Sequence, residues 1–207
     1  MSFWVDRSHP ERGTIEPTRT GDRWPGPPER PKLAMRGLLI LLLPLTSMFG
    51  LLISAYVMRR HMGDWQPLPL PWQVWLSTVL LVLSSAGFEW ARRAAAAGWV
   101  DDVRRGLLVA GLLALAFLGS QLWAWQQLQL AGLAVATNPA SSFFMLMTGL
   151  HALHLVAGLA AWFRTRAVLA GEAEPATVQS MVQLCAWYWH FLLAVWLVLF
   201  GVLLFLA

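Results

Sequence analysis

Residues 181–206 read MVQLCAWYWHFLLAVWLVLFGVLLFL, twenty-six positions without one charged side chain. A helix needs about 20 predominantly apolar residues to cross the hydrocarbon core of a bilayer. This stretch therefore predicts a membrane span. Working back along the chain, four more stretches pass the same test, at 37–58, 72–91, 106–128 and 141–163. Each is bounded by charge, proline or tryptophan. The expected fold class is all-α: a membrane protein built as a bundle of five transmembrane helices over residues 37–207.

Composition agrees. Hydrophobic residues make up 57% of the chain and charged residues 13%, against about 25% charged in an ordinary soluble domain. Residues 1–36 differ from the rest, with seven of the 15 Lys and Arg, five of the 11 acids and six of the 12 prolines. Four of its positions form the run Pro25-Gly26-Pro27-Pro28. Low hydrophobicity, mixed charge and proline leave too little apolar surface to offset ordering entropy, so the segment is expected to be a flexible arm. No apolar core follows an early basic patch, as a signal peptide would require. The formal net charge of +4 does not imply nucleic acid, because a basic excess beside membrane helices is what topology demands.

Counting Lys and Arg orients the bundle. The arm, the 92–105 loop and the 164–178 loop together hold 13, and the opposite side holds only Arg59 and Arg60. The positive-inside rule then puts the amino terminus in the cytoplasm and the carboxyl terminus outside. Trp65, Trp72, Trp75, Trp123 and Trp125 fall at one expected interface, and Trp90, Trp99, Trp162 and Trp187 at the other, as amphipathic rings prefer. Asn138-Pro139 reads as a capping side chain followed by proline at the first helical position. Small residues recur within the spans: Ser84, Ser85, Ala86 and Gly87 in the second, Gly111 and Gly119 in the third, Gly149 and Gly158 in the fourth. Such residues let helices approach closely in lipid.

Polar groups at membrane depth are costly and each calls for an account. Glu89 is the one acid inside a span, three and four residues before Arg92 and Arg93, which puts both guanidinium groups on its helix face. An interfacial ion pair is the favoured reading and a proton relay the rival. His151 and His154 share a face of the fourth span, and His190 lies on the fifth. The two spans run antiparallel, so His154 and His190 sit at similar depth. They could clamp a haem iron axially, or all three could hydrogen-bond neighbouring helices, the favoured reading. No carboxylate is expected beside them. Cys185, the single cysteine, reads as a small buried hydrophobe. The sequence offers no Ser/His/Asp set, no metal-spaced cysteine cluster, no internal repeat and no row of acids across the membrane.

Two stretches resemble a known family. Thr148-Gly149-Leu150-His151-Ala152-Leu153-His154-Leu155 is similar to the Thr-Gly-Phe/Leu-His-Gly-Leu-His element of subunit III of haem-copper terminal oxidases. Trp187-Tyr188-Trp189-His190-Phe191, followed by Val195-Trp196-Leu197-Val198-Leu199-Phe200, resembles its Tyr-Tyr-Trp-His-Phe-Val-Asp-x-Val-Trp element. Weaker echoes are Phe49-Gly50-Leu51 with Tyr56, and Phe117 to Gln121. The resemblance spans roughly residues 37–207 and fits the five-helix bacterial form of the subunit.

It implies a non-redox subunit in the bacterial cytoplasmic membrane, packed beside catalytic subunit I and other oxidase subunits. That subunit would stabilise the catalytic one and support proton uptake. Haem and copper would then belong to the partner, none to this chain, and phospholipid would be bound. His151, His154, Trp189, His190 and Glu89 would be structural or motif residues without a catalytic role. A donor complex is a possible further partner. The alternative is a small b-type cytochrome with His154 and His190 as haem ligands. Two departures from the family pattern stand out: Leu45, beside Pro44, replaces a first-helix glutamate, and Leu193 replaces the aspartate after the last motif. Both losses argue against proton uptake through this subunit's own core.

Overall fold

The computed structural model describes residues 30–63, 65, 69–132, 138–171 and 174–206. Those residues form five α-helices in chain order: α1 (Arg30–Arg59), α2 (Gln73–Ala97), α3 (Val100–Leu130), α4 (Pro139–Ala170) and α5 (Pro175–Leu206). All five are long and apolar enough to cross a membrane, and the chain is a multi-pass membrane protein.

Each expected span lies within one helix, apart from Trp72, which precedes α2. The helices outrun the apolar windows at most of their ends. α2 continues through Arg92 and Arg93, and α3 starts early, with Asp101 and Asp102 in its first turn. Backbone hydrogen bonds do not stop where hydrocarbon stops, and acids in a first turn complement the helix dipole. The arm expected at residues 1–36 lies outside the described residues as far as residue 29. From Arg30 the chain is already helical.

Local chemistry sets the turns. α2 ends at Gly98, whose φ of 78° is left-handed. The Trp99 N–H donates to Ala94 O at 3.0 Å and the Gly98 N–H to Ala95 O at 3.3 Å. That doubly bonded cap is the Schellman arrangement, and it reverses the chain within two residues. At the start of α4 the Asn138 side chain accepts from the Ala140 N–H at 3.0 Å and Pro139 occupies the first turn, as expected from the sequence.

The resulting α2–α3 hairpin is the closest helix pair. A Cβ at Gly87 would meet Ala110 at 3.1 Å, and one at Gly106 would meet Ala91 at 3.0 Å. α5 packs on α2 and α4, α3 also packs on α4, and among the described residues α1 meets no helix but α4 and α5. The shared core holds Leu81, Phe88, Leu107, Phe117, Phe144, Leu155, Trp189, Leu192 and Trp196. α1 contributes Phe49 and Tyr56, the latter edge-on to Trp65 and Phe143 at centroid distances of 5.1 and 5.7 Å.

Candidate functional site

The polar side chains singled out in the sequence are gathered mostly where α2 meets α5 and where α4 meets its neighbours. α2 carries Ser85, Glu89, Arg92 and Arg93 at helical spacing, so one face turns from hydroxyl to carboxylate to guanidinium. Arg92 grips Glu89 with two bonds, Nε to Oε2 and Nη2 to Oε1, both 2.7 Å. Arg93 Nε adds a third to Oε1 at 2.8 Å. Two guanidinium groups on the same helix thus satisfy this carboxylate with charge-assisted hydrogen bonds.

His190 reaches this face from α5. Its Nε2 donates to Glu89 Oε2 at a long 3.4 Å, and its Nδ1 shares a 2.6 Å hydrogen bond with the Ser85 hydroxyl. The expectation that no carboxylate accompanies the histidines is therefore corrected: Glu89 stands beside His190. Helix neighbours in space, α2 and α5, are far apart in sequence, and their pairing could not be read from spacing. Ser85, His190 and Glu89 have the residue types of a hydrolytic triad. However, Ser85 is buried in mid-helix, where surrounding N–H groups are used by the helix and cannot hold an oxyanion.

His154 looks elsewhere. Its Nδ1 donates to Leu150 O one turn back at 2.6 Å, and its ring lies edge-on to Phe49 at 5.6 Å. Tyr188 of α5 donates to His154 O at 3.0 Å. The two histidines expected at one depth thus do not form a facing pair. Both nitrogens of His190 are engaged with α2, which leaves none for iron. That geometry does not support the axial-clamp reading. His151 is fully buried among Phe49, Phe117 and Trp196, with the Trp196 centroid 5.2 Å away. Trp189 is also fully buried, stacked at 4.3 Å on Phe88 and seated against Gly158, where a Cβ would come within 2.7 Å of its ring. Among the described residues no group of three or more His, Cys, Asp and Glu could hold a metal ion. Cys185 is buried, with its sulfur 3.9 Å from Thr165 Oγ1.

Several contacts escaped the sequence reading. Trp162, expected in an interfacial belt, instead inserts its indole against Gly111 and donates to Leu107 O at 2.7 Å. Trp125 donates to Thr148 Oγ1 at 3.0 Å, and Trp196 to Thr78 Oγ1 at 3.0 Å. Ser84 donates to Ala110 O at 2.8 Å, and Ser77 shares a 2.6 Å bond with Ser120. The available signal was a tryptophan on one span set against glycine or hydroxyl residues on another. Gly119 departs from the expected packing, since nothing lies within 4 Å of the position its Cβ would take.

Fold and contacts together define a helical membrane protein whose polar side chains are largely spent on joining helices. A family model for cytochrome c oxidase subunit III matches residues 55–207. The chain belongs to the cytochrome c oxidase subunit III family. It is 29% identical over 200 residues to a cytochrome c oxidase subunit 3 of Thermostichus vulcanus, covering 93% of this chain and 96% of that protein. To a probable cytochrome c oxidase subunit 3 of Mycobacterium tuberculosis it is 28% identical over 183 residues, covering 86% and 90%. To the Arabidopsis thaliana subunit 3 it is 32% identical over 145 residues, 67% of this chain but 53% of that longer protein.

Proposed function

We propose that this chain is the non-redox subunit III of a proton-pumping haem-copper terminal oxidase in a bacterial cytoplasmic membrane. It sits beside the catalytic subunit, which holds the haem and copper, and stabilises it while supporting proton uptake. The observation that carries this reading is the family match over residues 55–207. The motif histidines support it, because His190 is bonded to α2 and His154 to its own helix. In this role His190 bonds α5 to α2 through Ser85 and Glu89. Contrary to the expectation of cross-helix hydrogen bonds from all three histidines, His151 and His154, like Trp189, meet neighbouring helices through ring packing. The names of the relatives favour cytochrome c over quinol as electron donor.

Phospholipid is the expected bound molecule. A groove of about 450 Å³ runs between α1, α4 and α5, with Leu38, Leu41, Ala161 and Tyr188 among its walls and Arg164 at its basic end. Apolar walls suit an acyl chain, and a guanidinium suits a phosphate. The thirteen-to-two split of basic residues supports a cytoplasmic position for that end. A reporter fused after Ala207 should accordingly be active only outside, and one in the 92–105 loop only inside.

The decisive test is purification in mild detergent through a tag on this chain. A haem-copper catalytic subunit should accompany it in equal amount. Recovery of the chain alone, or with unrelated proteins, would overturn the reading.

A further inference from the structure

Four buried side chains have no hydrogen-bond partner among the described residues, Gln121, Ser141, His151 and Trp189, and two of them leave two atoms each unpaired. Gln121 on α3 is 1% exposed and both atoms of its amide lack one; His151 on α4 is 0% exposed and both ring nitrogens lack one, among the described residues. A buried polar group left unpaired is destabilising, because it forfeits the bonds it would make with water. Four such atoms on two facing helices call for an account.

The helices bring them to one level. Trp125 of α3 donates to Thr148 of α4 at 3.0 Å, which fixes the register of this antiparallel pair. Gln121 lies four residues from Trp125 and His151 three from Thr148, both toward the basic end, about 6 and 4.5 Å along the axes. An independent contact agrees: the His151 ring is 5.8 Å from Phe117, one turn from Gln121 on the same face of α3. Phe49 and Trp196 also ring the imidazole, and among the described residues neither of its nitrogens has a hydrogen-bond partner.

We propose that Gln121 and His151 form a buried water site, one molecule held between α3 and α4. A neutral imidazole presents one donor and one acceptor, and an amide presents both kinds. The two groups do not bond each other directly, yet each matches a molecule that donates twice and accepts twice. Buried waters take this place in protein interiors, with about three bonds to groups otherwise unsatisfied. The site goes beyond the oxidase reading and does not depend on it.

Two measurements on the chain in its native assembly test the site. A map that resolves ordered waters should show density within about 2.7–3.2 Å of the Gln121 amide and of a His151 ring nitrogen. A direct Gln121–His151 bond, or no density between them, overturns the proposal. The second is a double-variant cycle. Gln121→Leu and His151→Phe should each lower the melting midpoint of the assembly, because each leaves the water and the other side chain short of a partner. The double variant removes the polar site as a unit and should recover most of the loss. Additive losses would show that the two side chains do not share a site.

Discussion

The α2–α3 hairpin and α1 lie in the same bundle and obey opposite logic. Compared over an 18-residue apolar stretch of each helix, that of α1 is the most apolar and the least buried, with 6% of its residues buried; that of α2 is the least apolar and, with that of α3, the most buried at 44%. In water that ranking would be reversed. In lipid the surrounding tails are as apolar as leucine, so apolarity does not drive one helix onto another. Association comes from close approach at small residues and from hydrogen bonds between helices. The hairpin has both, at Gly87, Gly106 and Ser84. α1 shows the reverse: Gly37 and Gly50 have nothing within 4 Å of a would-be Cβ, and the hydroxyls of Thr46, Ser47 and Ser54 bond within the helix. Its attachment rests on the buried Phe49 and Tyr56.

The contrast is broken most severely at Gly106. Leucine there would collide with both the side chain and the backbone of Ala91, which can yield only by parting α2 from α3. Overpacking commonly costs 1–3 kcal/mol, and a backbone collision should exceed about 3 kcal/mol. The expected result is little or no folded subunit recovered from membranes. Gly50→Ala on α1 is the control, expected to gain about 0.5 kcal/mol from helix propensity alone. Equal damage at both positions would dissolve the distinction.

A smaller effect is expected at Trp162. Phenylalanine keeps the ring near Gly111 but loses the donation to Leu107 O, at a cost of about 1–2 kcal/mol. Thermal dissociation of the purified assembly would read it as a lowered midpoint. Smaller still is Ser84→Ala, which removes one hydrogen bond from the hairpin. Bonds of this kind within membranes average about 0.6 kcal/mol. The same melting experiment should place it clearly between Gly50→Ala and Trp162→Phe.

The five helices were legible because a hydrocarbon slab imposes a length, and uncharged runs of that length are plain in the sequence. The ends of α2 and α3 were less so, since Arg92, Arg93, Asp101 and Asp102 continue helices beyond the apolar window. The Glu89 pair with Arg92 and Arg93 was legible as well, because spacings of three and four along one helix need no tertiary knowledge. Pairing across helices was not. His190 finds Ser85 and Glu89 only because α5 packs on α2, and Trp162 finds Gly111 only because α4 packs on α3. Family resemblance pointed to the histidines as motif residues without naming their partners.

We propose that the motif histidines hold helices and bind no haem. The direct test is the reduced-minus-oxidised spectrum of the purified assembly, normalised to its catalytic subunit, for His154→Gln and His190→Gln. Glutamine keeps a donor and an acceptor at similar reach but ligates haem iron poorly. Both variants should show the full haem signal, with any loss confined to how firmly the subunit is held. A spectrum missing one haem equivalent while every subunit remains bound would contradict the account.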